Sequence, residues 1–396
     1  MKSIKDINFA GKRVLVRVDF NVPLDKQGLI TDDSRMQAHV KTIKAILKGG
    51  GRPVLMSHLG RPKGEPKPEL SLKQLVTHLE KITAAKVVFA QDCIGPKAQE
   101  ASQALADGEL LLLENLRYYK QETTGDKHFA EQLAQLGDFY VNDAFGTAHR
   151  AHASTAVIAQ FFKGQKAFGL VMEAEITNVN KVIDSTEKPV VAIVGGAKVS
   201  SKIGVLENLL PKVDALIVGG GMAFTFIKAQ GGAVGNSLVE NDYENTALSI
   251  LEAAKKANVK VYLPKDVMAG DDFNNEANTK VYPANSIPAG WLGLDAGPKT
   301  LAELQEVVEN AKVILWNGPM GVFEFENFAE GTQKMAQFIA NATKQGAFSL
   351  VGGGDSVAAV KAFNMADKVS YVSTGGGAML EYLEGKPLPG ISAIQD

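Results

Sequence analysis

Short apolar runs, each closed by glycine, proline or a polar cluster, recur along the chain in two series. The first comprises VLVRVDF (14–20), PVLMSHL (53–59), KVVFA (86–90), LLLLENL (110–116) and FYVNDAF (139–145). The second comprises VVAIVGG (190–196), ALIVGGG (215–221), KVYLPKDV (260–267), KVILWNG (312–318), FSLVGGG (348–354) and VSYVST (369–374). Runs that stay apolar on successive residues, rather than alternate ones, predict strands buried on both faces, as in parallel sheets. Between them lie stretches long enough for crossover helices, such as 71–82 and 245–257. Alternating strands and helices predict an α/β protein, and two series predict two three-layer α/β/α domains with mainly parallel sheets. Between the series, Met172, Ile176, Val179 and Ile183 repeat at helical spacing, and Pro189 precedes the next strand. The expected organisation is therefore a first domain over 1–170, an interdomain helix over 171–186 and a second domain over 187–377. A short helix and a Pro/Gly-rich tail follow.

The length of 396 residues agrees with two domains at roughly 100 to 200 residues each. Hydrophobic residues at 45% and charged residues at 22% exclude a disordered or low-complexity chain. With Cys93 as the single cysteine, neither an internal disulfide nor a cysteine metal cluster can form, and a reducing compartment is expected. The N-terminal stretch lacks the continuous apolar run of a signal peptide, and no run approaches the ~18 residues of a membrane helix, so a cytoplasmic protein is expected.

Residues 1–170 hold 24 Lys+Arg against 18 Asp+Glu, and the rest hold 18 against 26. All seven arginines and all six histidines lie before residue 153. Guanidinium groups suit carboxylate and phosphate, so the first domain is expected to handle a small anion. No dense basic run with interleaved aromatics points to nucleic acid.

Open α/β sheets bind ligands at the carboxyl ends of their strands. In the first series those ends carry Asp19, Asn21, His58, Arg61, Arg117 and Asp143; in the second they carry Gly195–Gly196, Gly219–Gly221, Asn317, Gly352–Gly354 and Gly375–Gly377. Bare backbone at helix starts suits phosphate, so the second domain is expected to bind a nucleotide. In GGAKVSSKIGVLENLL (195–210), a helix starting just after the glycines would put Lys198 and Lys202 on one face, over which a polyanion could lie. Two solvated lysines are the plainer alternative. Asp355 in GGGDS reads as a helix N-cap that beside phosphates could also hold Mg²⁺.

The P-loop, GxGxxG, HExxH and GxSxG patterns are absent. A nicotinamide-dependent dehydrogenase would use a similar sheet, but the missing GxGxxG counts against it. A two-lobed solute-binding protein would also have a hinge and a cleft, yet it would carry an export signal.

Together, RVDFNVP (17–23), SHLGRPKG (57–64), ENLRYY (114–119), FGTAHRAHAST (145–155), GGAKVSSK (195–202), LGLDAGPKT (292–300), WNGPMGVFEFE (316–326), GGGDS (352–356) and STGGGA (373–378) resemble the phosphoglycerate kinase family over essentially the whole chain. The resemblance implies two Rossmann-like domains joined by a hinge. It also implies reversible phosphoryl transfer from 1,3-bisphosphoglycerate to ADP, giving 3-phosphoglycerate and ATP, with Mg²⁺, in a monomeric glycolytic enzyme. It places the phosphoglycerate site at Asp19, Phe20, Asn21, Arg35, His58, Leu59, Gly60, Arg61, Arg117 and Arg150. It assigns the nucleotide to Lys198, Lys202, Gly219, Gly220, Leu294, Asn317, Pro319, Glu324, Gly353, Gly354 and Ser356, with Asp355 as magnesium ligand. Arg35, Lys198, Lys202, Gly375 and Gly376 would act on the transferring group, and the tail, about 378–396, would return to the first domain. The chain departs from the family pattern at Ser201, Ser356 and Ala174.

Overall fold

The computed structural model describes residues 2–395 of the chain. Contacts divide it into two units, one running up to Ile176 and resuming at Pro387, the other spanning Thr177–Lys386. The helix Leu170–Ile183 therefore belongs to both.

In the first unit the strands are β1 (Arg13–Arg17), β2 (Arg52–Met56), β3 (Lys86–Phe89), β4 (Glu109–Leu112), β5 (Phe139–Asn142) and β6 (Lys166–Phe168). They form one parallel sheet in the order β3-β4-β2-β1-β5-β6. The central strands are buried along almost their whole length because helices cover both faces, which explains their unbroken apolar runs. Val14, Val16, Leu55, Leu112 and Val141 meet Ile43, Ile46 and Leu79 from the helices in one core.

The second unit contains β7 (Val190–Val194), β8 (Ala215–Val218), β9 (Ala233–Val234), β10 (Lys260–Tyr262), β11 (Asp266–Gly270), β12 (Thr279–Pro283), β13 (Ser286–Ile287), β14 (Leu292–Ala296), β15 (Val313–Asn317), β16 (Phe348–Val351) and β17 (Tyr371–Val372). Six of them form a second parallel sheet, β10-β8-β7-β15-β16-β17. Fully buried Trp316 belongs to its core with Ile193, Ile217 and Met335. A smaller antiparallel sheet, β12-β11-β14, covers a separate cluster around Phe224, Val267 and Ile287.

Three local expectations are corrected. The run 260–267 is two strands in different sheets, because Pro264 cannot donate to a ladder and the chain turns there. The helix expected from the glycines at 195–196 instead starts at Ile203, and Lys202 occupies its N-cap position. Residues 195–202 form turns, closed by Lys202 N–H donating to Val199 O (2.8 Å), so Lys198 and Lys202 share no helical face. Asp355 is not an N-cap either: Gly353 takes that place with φ +94°, and Asp355 falls inside the first turn of the helix Gly354–Ala362.

The tail divides. The helix Gly376–Leu383 packs against the helix Ile203–Leu209 within the second unit, whereas the segment from Pro387 on lies on the first. There Gly390 N–H donates to Ala148 O (2.8 Å) and Asn142 Nδ2 donates to Gly390 O (3.0 Å). A side chain at Gly390 would stand 2.9 Å from Thr155 and 3.0 Å from Ala148, so the tail docks backbone-first.

Candidate functional site

At the carboxyl ends of the first sheet the site starts from a buried cation. Arg17, the last residue of β1, has no exposed surface and places its guanidinium among three acceptors: Ser154 Oγ (2.9 Å), His58 Nδ1 (3.1 Å) and the Val18 carbonyl. Since arginine can only donate, His58 Nδ1 accepts, and the ring is neutral with its proton on Nε2. Burial, then the fields of Arg17, Arg117, Arg35 and His152, hold the His58 pKa well below the usual histidine value. His152 is held down to about 4 by burial and by Arg17, Arg117, Arg150 and His149. Arg117 is lowered by burial and by Arg17, with Arg61 adding to the effect. One positive field thus joins Arg17, Arg35, Arg61, Arg117 and Arg150, with His58, His149 and His152 inside it. Asp19 and Glu122 offset it in part, and Glu122 is committed to Ser154 through bonds of 2.6 and 3.0 Å. A cluster of cations of this kind is relieved by a ligand with several negative charges.

Loops fix the rest of this group. Arg35 donates to Asn21 O (2.9 Å) and stands 3.5 Å from Asp19 Oδ2, while Asn21 Oδ1 accepts from Gly60 N–H (2.8 Å). Arg117 reaches Gly60 O (3.1 Å). Asn115 ties Leu59 O and Leu70 O together, both at 2.8 Å. Asp19, Asn21, Arg35, His58, Gly60, Arg61, Arg117 and Arg150 therefore lie in one neighbourhood. Phe20 and Leu59 have buried side chains, so they can offer a ligand only main chain. A cavity of about 860 Å³ walled by Pro66, Pro68, Tyr118 and Tyr119 shares Asn115 with this region, but none of the candidate residues lines it.

In the second unit, backbone replaces side chains. Around Gly195, Gly220 and Gly318 the loops after β7, β8 and β15 pack on one another: a Cβ at Gly195 would stand 2.1 Å from Pro319 O, and one at Gly220 2.7 Å from Gly196 O. Gly220 N–H donates to Met320 O (3.1 Å) and Val322 N–H to Leu294 O (2.9 Å), which brings Gly219, Gly220, Leu294 and Pro319 together. Glu324 follows, exposed, on the same loop.

Gly354 and Gly376 differ. They are the first residues of two helices, a side chain at Gly354 would meet nothing within 4 Å, and one at Gly376 would lie 3.5 Å from Gly354 N. Two helix N-termini thus converge on open space, each with the partial positive charge of its unpaired N–H groups. Gly353 stands at the N-cap of one and Gly375 of the other.

Lys202 donates to Asn317 Oδ1, burial lowers its pKa, and Asp355 and Glu384 pull it back up. Lys198 is exposed on the preceding turn, and its field reaches Glu240. Asn317 and Ser356 point inward. Asn317 Nδ2 donates to Gly352 O (2.8 Å) and Ser356 Oγ accepts from Gly318 N–H, so both hold loops in place. Asp355 is exposed in the first turn of its helix.

Sequence reasoning assigned no role to Arg17, Glu122, His152 or Ser154. For Arg17 a signal existed, a charge inside an otherwise apolar run. The other three lie in loops and a short helix, and only folding brings them to β1.

The family model described as phosphoglycerate kinase matches residues 4–386. The chain is 52% identical over 394 residues to the cytosolic phosphoglycerate kinase of Triticum aestivum, covering 100% of this chain and 98% of that one. It is 52% identical over 395 residues to the phosphoglycerate kinase of Chloroherpeton thalassium, covering 100% and 99%. Among solved structures, the phosphoglycerate kinase from Coxiella burnetii superposes with a TM-score of 0.90 at 40% identity, covering 99% and 98% of the two chains. The enzyme from Pyrococcus horikoshii gives 0.84 at 30%, covering 100% and 98%.

Proposed function

The chain belongs to the phosphoglycerate kinase family, and from that premise we propose which of its residues carry the reversible transfer of a phosphoryl group from 1,3-bisphosphoglycerate to ADP. The observation that carries the assignment is the contrast between the two sheets. One gathers four arginines at its strand ends and in the loops after them, with Arg35 beside them at the start of a helix, and the other presents bare helix starts at Gly354 and Gly376.

In this reading 3-phosphoglycerate, which carries both phosphate and carboxylate, lies on the first sheet against Arg61, Arg117, Arg150, His58, Asn21 and Asp19. Bidentate guanidinium contacts give it both affinity and orientation. Adenine lies over the Gly219–Gly220, Leu294 and Pro319 surface with Glu324 at the ribose. The phosphates meet the N–H groups at Gly353–Gly354 and Gly375–Gly376, with Lys198 and Lys202 beside them. Asn317 and Ser356 support these loops from behind.

Chemistry makes small demands on the protein. In the ATP-consuming direction the nucleophile is the substrate carboxylate, ionised at neutral pH, so no general base is needed. What remains is in-line alignment and neutralisation of charge spread over the transferring oxygens. Arg35 from the first unit, with Lys202, Lys198 and the amides at Gly375 and Gly376 from the second, supply that charge. Because the ligands lie on different units, closure about the hinge is proposed to precede transfer.

For magnesium, the donor set fits an ion held mostly by its nucleotide. Asp355 offers one exposed carboxylate beside the phosphate-facing helix start, and among the described residues no three His, Cys, Asp or Glu side chains group into a cage. Bound there, Mg²⁺ would neutralise phosphate charge. Among the described residues no helix is long and apolar enough to cross a membrane. With relatives named as cytosolic, a cytoplasmic monomer is proposed.

The test is ATP formation from ADP and enzymatically generated 1,3-bisphosphoglycerate. Turnover that requires Mg²⁺ and is lost by about 10²-fold or more in Arg35→Ala, with ADP affinity kept, is expected. Undiminished turnover in that variant would remove Arg35 from the reaction.

A further inference from the structure

His39 is buried and sits between two of the polar strand ends, Asp19 and Asp143. Asp19 N–H donates to its Nε2 (3.0 Å), and its Nδ1 is 2.8 Å from Asp143 Oδ2. A main-chain N–H can only donate, so Nε2 must be unprotonated and the proton must sit on Nδ1, donated to Asp143. The other oxygen of Asp143, Oδ1, accepts from Val171 N–H (2.8 Å) at the start of the helix Leu170–Ile183. Gly169 makes room for this carboxylate, since a Cβ there would stand 2.1 Å from it. Four residues before His39 on the same helix, Arg35 holds Asn21 O and faces Asp19. Three residues after it, Thr42 Oγ1 accepts from Leu170 N–H (3.0 Å). Arg35, His39 and Thr42 form one stripe at helical spacing, with the Asp19–Asn21 loop at one end and the start of the helix shared by both units at the other.

From this geometry we propose that His39 is a positioning residue. As a neutral imidazole locked in the Nδ1–H form, it fixes the main chain of Asp19 and thereby presents the Asp19–Asn21 loop to the phosphoglycerate. It touches no substrate itself. Phe20, whose ring meets His39 edge-on at 5.9 Å, is buried with it, so the His39 end of the bond to Asp19 is shielded from solvent. The proposal rests on the assignment of the phosphoglycerate to the first sheet made above.

His39→Asn keeps a donor for Asp143 but is too short to accept from Asp19. Its KM for 3-phosphoglycerate is expected to rise about tenfold, the size of one hydrogen bond, with kcat and the calorimetric Kd for ADP changed less than about threefold. A residue that merely supported the fold would lower stability and the active fraction while leaving KM alone, and that result overturns the proposal. Should His39→Asn fail to fold, Asp143→Asn leaves one oxygen for two donors, His39 Nδ1–H and Val171 N–H, and is expected to raise the same KM. The wild-type protein gives an independent reading by ¹⁵N NMR. A His39 signal with Nδ1 protonated and Nε2 bare supports the proposal, and the opposite tautomer or an imidazolium at pH 7 overturns it. Absence of kinase activity in the wild type would instead sink the assignment of the site, and the two failures are thereby told apart.

Discussion

Arg17 shows what one buried charge imposes on its neighbours. With no water available, its guanidinium must find acceptors, and it takes Ser154, the Val18 carbonyl and the free nitrogen of His58. His58 and His152 then remain neutral because a proton on either would face burial and several arginines. This has a consequence for stability. In the unfolded chain both rings take up protons as pH falls through about 6.5, but folded His152 does so only near about 4 and His58 well below its usual value. Between those limits the unfolded state binds more protons, so stability falls as pH falls and levels off below the folded values. Urea midpoints are expected to drop steadily from pH 7 towards about pH 4.5, and His152→Asn should flatten the slope. A variant slope equal to that of the wild type would show that His152 titrates normally.

At the scale of elements, glycines that look alike in the sequence serve two purposes. Gly195, Gly220 and Gly318 let loops of the second sheet pack backbone against backbone, and Gly220 and Gly318 also need φ of +67° and +99°. Gly354 has no such constraint: its φ is ordinary and the space around it is open. The two classes separate by mutation. Gly195→Ala pushes a methyl into two carbonyl oxygens and is expected to cost about 2 kcal/mol or more in urea denaturation. Gly354→Ala should leave stability within about 1 kcal/mol, since alanine favours the helix, yet weaken ADP tenfold or more in calorimetry by covering the approach to the helix start. Normal ADP affinity in Gly354→Ala would move the phosphates away from this helix.

For the whole molecule, the two candidate sites belong to separate units, each with its own sheet and core, and one helix, Leu170–Ile183, runs through the division. If each sheet takes one ligand, small-angle scattering should show contraction only with 3-phosphoglycerate and Mg-ADP present together; equal contraction with either one alone would place both ligands in one unit. Much of this organisation was legible beforehand, because strands buried on both faces must be continuously apolar and glycines and arginines mark strand ends whatever the packing. Thus all eleven apolar runs contain strands of the fold, and His58, Arg61 and Arg117 appeared as strand-end residues. The small β12-β11-β14 sheet was not legible, since its exposed strand β12 lacks an apolar run. Nor were the turns that separate Lys198 from Lys202, the inward direction of Asn317 and Ser356, or the partnership of Arg17 with His58. The apolar runs in the chain were enough to mark most strands of the two parallel sheets, because burial on both faces depends on local pattern and on solvent. Which glycine frees space for a ligand, which polar side chain is spent on a neighbouring loop and which histidine is kept neutral were decided only by the tertiary structure, because each depends on groups far apart in the chain competing for one hydrogen bond or one small volume.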